Sequence, residues 1–63
     1  MKKVTKEEID LLLKNNIIKN TTRGFVGQDN NYTVGFYRTR HNRYMEDKYV
    51  DIAKKLSWEV LYG

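Results

Sequence analysis

No cysteine occurs in this chain of 63 residues, and that fact most restricts how it can hold a fold. A domain this short buries only about 60% of the surface its unfolded chain exposes, so its stability margin is thin. Domains of this size usually rely on disulfides, a metal, a partner subunit or an economical core. Disulfides and thiolate metal sites are excluded. The single histidine, His41, has no His/Asp/Glu spacing around it that matches a zinc site. No metal and no cofactor is therefore expected. A small hydrophobic core remains, with a homodimer as a second source of stability.

The first element is legible from its ends. Thr5 followed by Glu8 is a capping box, and Val4 with Ile9 is placed as a hydrophobic staple. Glu7, Glu8 and Asp10 sit near the positive end of the macrodipole. Ile9, Leu12 and Leu13 share a helical face, and Asn15-Asn16 supplies a left-handed stop. A helix over about 6–15 is predicted.

Two extended runs follow, residues 22–27 and 32–39, flanking the polar tetrad Gln28-Asp29-Asn30-Asn31. Alternating aromatic and β-branched residues on either side predict a β-hairpin, either through a four-residue loop that pairs Gly27 with Tyr32 or through a tighter turn. Phe25, Val34 and Phe36 form its core face. Tyr37, Gly24 and Gly35 lie on the open face. A third short strand at Ile17–Thr21 would make the sheet more credible, because two strands alone are marginal.

Asn42 is a good N-cap, and Met45, Tyr49, Ile52, Ala53, Leu56 and Val60 fall on one helical arc. These predict a second helix over about 43–58, with Asp47, Lys48, Asp51, Lys54 and Lys55 facing away. Trp58 falls on the polar side. Trp58, Leu61 and Tyr62 are expected to tuck against the first helix and cover Leu11. The fold class is then α+β: residues 1–63 as a single α-β-β-α domain, helix–hairpin–helix, both helices on one face of the sheet.

Net charge is +4, unevenly placed. Residues 1–43 carry nine Lys/Arg against four Asp/Glu, or +5, and residues 44–63 carry three against four, or −1. The surplus is densest at Arg38, Arg40, His41 and Arg43, which the helix prediction places at a helix N-terminus. Guanidiniums beside exposed amides suit phosphate. The plainer reading pairs these arginines with Asp29, Glu46 or Asp47 on a solvated surface. Arg23 and Lys19 are further candidate phosphate contacts, and Tyr37 is a candidate base-stacking residue.

The expected function is a small basic nucleic-acid-binding module. Its alternative is a protein-binding regulator or inhibitor that uses the open sheet face or the Trp58 cluster, with an acidic protein surface as partner. Catalysis is not expected: His41 amid arginines, with Tyr37 or Tyr44 nearby, has residue types found in metal-independent ribonucleases, but no second histidine is present. No export signal, membrane span or lipidation motif is read, which suits the cytoplasm.

Overall fold

The computed structural model describes residues 1–29 and 31–63. Asn30, inside the predicted turn tetrad, lies outside the described residues. The protein is α+β. Strand β1 (Lys2–Val4) leads into helix α1 (Lys6–Lys14), followed by β2 (Ile18–Thr21), β3 (Gly24–Gly27), β4 (Phe36–Arg38), β5 (Arg43–Met45) and helix α2 (Asp47–Tyr62). One antiparallel sheet has the order β1-β5-β4, and β2 pairs with β3 in a second. The helices pack on each other, α1 against β2 and α2 against β1.

Helix α1 follows its local chemistry. The Thr5 hydroxyl accepts from the Glu8 amide at 3.1 Å, and the Thr5 amide donates to the Glu8 carboxylate at 2.9 Å. Val4 and Ile9, the staple pair, are both buried. The helix ends in a Schellman motif: Asn16 takes φ 59°, its amide donates to Leu13 O, and the Ile17 amide donates to Leu12 O. Asn tolerates this left-handed position better than most residues. Thr5→Ala is expected to cost about 1 kcal/mol. A thermal melt unchanged within error would count against the cap.

The predicted hairpin is rearranged. The expected third strand is present as β2, but it, and not the 32–39 run, is the main partner of β3. Its turn is held by the Thr21 hydroxyl, which donates to Gly24 O at 2.8 Å, and Gly24 takes φ 107°, a conformation few side chains tolerate. The Gly27–Tyr32 register is correct as far as it goes. The Gly27 amide donates to Tyr32 O, the Val34 amide to Phe25 O, and Val26 bridges Thr33.

At Gly35 the chain changes sheets. The Gly35 amide donates to Glu46 Oε2 and its carbonyl accepts from the Glu46 amide. A Cβ there would meet Glu46 Cγ at 3.1 Å and Met1 Cε at 3.2 Å. Glycine permits this approach, and Phe36–Arg38 then pairs with β5.

Residues 43–45, assigned to the second helix by periodicity, are thus strand. Helix α2 begins at Asp47 with Glu46 as N-cap and runs to Tyr62, so both its start and its end lie about four residues later than predicted. Asn42 is no cap. Its amide donates to the Thr39 hydroxyl, and its carbonyl accepts from the Thr39 amide at 2.8 Å. Strand β1, which no sequence signal predicts, is fixed to α2 by charge. The Met1 amino group lies 3.4 Å from Asp47, and Lys2 Nζ lies 2.8 Å from Asp51. The hydrogen bond to Asp51, and then its charge, hold the Lys2 pKa above the usual lysine value.

The core draws on every layer: Leu12 from α1, Ile18 from β2, Met45 from β5 and Val50 from α2 are its largest fully buried side chains. Of the predicted core face, Val34 is buried and Phe25 half-buried. Phe36 is exposed at the rim, edge-on to Phe25 at 5.2 Å between ring centroids. The predicted tucking of the C-terminal cluster does not occur. Trp58, Leu61 and Tyr62 are all exposed, and the Trp58 and Tyr62 rings meet at a tilt, 4.7 Å between centroids.

Candidate nucleic-acid interface

The arginine-rich segment is the turn of a hairpin and not the start of a helix. Thr39 and Asn42 flank the two-residue tip Arg40-His41. Neither tip residue takes a positive φ, so this is not the mirror-image turn that tight hairpins favour. The Thr39 hydroxyl closes it, standing in for a main-chain acceptor toward the Asn42 amide.

The ladder sets which side chains meet. Directly opposite residues share a face and successive residues alternate. Phe36 faces Met45, Tyr37 faces Tyr44 and Arg38 faces Arg43. On the other side of β5, Met45 faces Lys2, Tyr44 faces Lys3 and Arg43 faces Val4. One face therefore carries Val4 and Met45 into the core and, beyond the core's edge, Arg38 and Arg43. The reverse face carries the row Lys3–Tyr44–Tyr37, with the two tyrosine rings 5.8 Å apart and Tyr37 57% exposed.

Thr39 and Asn42 form a hydrogen-bonded pair, so the alternation of an antiparallel ladder makes Arg38 and Arg43 a non-hydrogen-bonded pair. Such pairs have the closer approach, with Cα atoms about 4.5 Å apart. Like charges directly opposite destabilise a hairpin. Among the described residues, Arg38, Arg40 and Arg43 have no acidic partner and no side-chain hydrogen bond. Two of the three acids expected to neutralise them, Glu46 and Asp47, are engaged elsewhere. Glu46 accepts from the Gly35 amide and the Tyr32 hydroxyl, and Asp47 pairs with the Met1 amino group.

The other candidates divide. His41 and Arg43 line a cleft with Lys3, Lys6 and Glu7, against the first turn of α1. Lys3 and Lys6 were missed by the sequence reading, as was Tyr44 as the neighbour of Tyr37. Arg23 sits in the β2–β3 turn and lines a separate groove beside Phe25 and Phe36. Lys19 is exposed on β2, opposite Val26. Tyr37 lies in the first sheet with Gly35 just ahead of its strand, whereas Gly24 belongs to the second.

The α2 amides expected beside the arginines are not there, because that N-terminus is bordered by Glu46, Asp47 and Met1. The first turn of α1 lies beside His41 and Arg43 instead, and its capping box already engages the Thr5 and Glu8 amides. What the hairpin offers an anion is guanidinium charge alone.

One signal in the sequence would have found the hairpin. Phe36-Tyr37-Arg38 is mirrored by Arg43-Tyr44-Met45 about the Arg40-His41 tip, in the order apolar–tyrosine–arginine and then its reverse. Mirrored order about a short polar turn is what a β-hairpin requires, because opposite residues must suit one face.

Among the described residues, no group of three or more His, Asp or Glu is placed to hold a metal ion, and no helix is long and apolar enough to cross a membrane. No protein-family model, curated protein or solved structure matches this chain.

Proposed function

We propose that this chain binds nucleic acid through the β4–β5 hairpin, with phosphates held by Arg38, Arg40 and Arg43. The observation that carries the reading is the cross-strand Arg38–Arg43 pair, set at the closest ladder spacing without an acidic partner among the described residues. An anion between two such guanidiniums relieves their repulsion and accepts charge-assisted hydrogen bonds from both. The hairpin tip adds Arg40 and His41, and the adjoining cleft adds Lys6.

Strand β4 is a free edge of its sheet, and Tyr37 and Arg38 are consecutive on it. A strand of nucleic acid running along that edge meets an aromatic ring on one side and a guanidinium on the other. Stacking on aromatic rings tolerates any base, so little sequence preference is expected. Arg23 and Lys19, on the second sheet, extend the basic surface without joining the hairpin.

Titrating labelled single- and double-stranded DNA and RNA at two salt concentrations tests the reading. Binding should weaken steeply with salt, because each phosphate contact releases condensed counterions. Absence of binding at low salt would remove nucleic acid as the partner.

A second reading rests on a different surface. Trp58 and Tyr62 are 66% and 74% exposed, and their rings meet at a 43° tilt on the outer side of α2. Exposed aromatic residues are enriched where proteins meet, which supports a protein-binding role. A stoichiometric protein complex lost on Trp58→Ala, with no response to nucleic acid, would favour it.

A further inference from the structure

Helix α2 outlasts the core it serves. Tyr49, Ala53, Leu56 and Val60 follow one another at helical spacing on its inner side, yet Tyr49 and Ala53 are buried while Val60 is 71% exposed. The stripe continues to Val60, which α1, only nine residues long, leaves exposed. Val60 and Leu61 instead form, with Leu11 of α1, the apolar floor of an open groove between the two helices. A helix face this apolar is ordinarily covered.

The rim of the groove shows what fits it. Glu7, Leu11 and Lys14 all line it from α1, at the spacing i, i+4 and i+7 that sets residues along one helix face. The row thus reads negative, apolar, positive. Such a row is self-complementary under a twofold axis. A second α1 laid antiparallel across Leu11 brings its Lys14 to Glu7 and its Glu7 to Lys14. Asp10, also on the rim, adds a second negative charge for the incoming lysine.

We propose that this groove is the contact surface for a second copy of the chain, in an isologous pair centred on Leu11, Val60 and Leu61. An isologous interface requires one patch to be its own complement, and this patch meets that condition in both shape class and charge order. The contact also supplies apolar burial that a 63-residue chain lacks on its own. Trp58 and Tyr62 lie on the other side of α2 and take no part.

The test is sedimentation equilibrium of the intact chain at low ionic strength, where rim charges are least screened, from about 10 μM to about 1 mM. The mass should rise from 7.6 kDa toward twice that value. Glu7→Lys and Lys14→Glu, each alone, set like charges against each other and should weaken association roughly tenfold or more. Mixing the two variants pairs opposite charges again and should restore association. Leu61→Asp, at a residue 69% exposed, should keep the fold and abolish the pair. Circular dichroism checks that every variant is folded. A wild-type mass of one chain throughout would overturn the proposal, as would a folded Leu61→Asp chain that still associates. So would two folded charge variants that fail to associate when mixed.

Discussion

Truncating Leu12 to alanine is expected to lower the melting midpoint by roughly 10 °C or more. Leu12 is fully buried and belongs to one core cluster with Ile18 of β2, Met45 of β5 and Val50 of α2. Removing a buried leucine side chain costs about 2–5 kcal/mol, through lost transfer energy and the cavity left behind. At the usual stability per residue, a chain of this length has roughly 3–9 kcal/mol in total. The truncation therefore removes a large share of it, and each kcal/mol shifts the midpoint by about 4–8 °C in a domain this small. Lys55→Ala, on the exposed side of α2, should change stability by less than about 0.5 kcal/mol. A Leu12→Ala melt within a few degrees of wild type would mean that the core is not organised around this residue.

That core was only partly legible in the sequence, and the division is physical. Helix α1 could be read to within a residue because its start and stop are local. A hydroxyl and a carboxylate three residues apart make the cap, and Asn16 takes the left-handed turn. Met45 shows the opposite case. It fits the helical arc with Tyr49, Ile52 and Leu56 as well as it fits a strand, and Asn42 ahead of it resembles an N-cap. The tie is broken by residues distant in sequence: Lys2 and Phe36 both lie opposite Met45. Once Asn42 is engaged by Thr39, it has no role at a helix start. Strand β1 has no strand signal of its own. Lys2 and Lys3 are poor strand formers, and the segment is held by the burial of Val4 and the two ion pairs to α2. In the candidate site, Arg38, Arg40, His41 and Arg43 were picked out by charge density, which needs no structure. Their placement on a hairpin, with Tyr37 on the reverse face from Arg38 and Arg43, depended on a register that charge density does not encode.

Replacing both Arg38 and Arg43 by alanine is expected to weaken nucleic-acid binding without weakening the fold. With two phosphate-binding guanidiniums removed, the slope of log affinity against log salt should fall by about two. The affinity at low salt should fall roughly tenfold or more, and by similar factors for every sequence tested. The stability effect has the opposite sign from that of an ordinary interface residue. The two guanidiniums face each other across the ladder, and neither has an acidic partner among the described residues, so removing either one relieves repulsion of about 0.2–1 kcal/mol. Each single variant should therefore melt at the wild-type temperature or slightly above it. Arginines kept for structural reasons, through packing of their stems or through an ion pair, would lower the melting temperature when removed. Salt-dependent titrations and thermal melts on the same two single variants and the double variant separate these cases. Weakened binding together with an unchanged or raised midpoint supports a hairpin that accepts electrostatic strain in order to hold an anion. Unchanged binding and an unchanged salt slope in the double variant would exclude this hairpin as the interface.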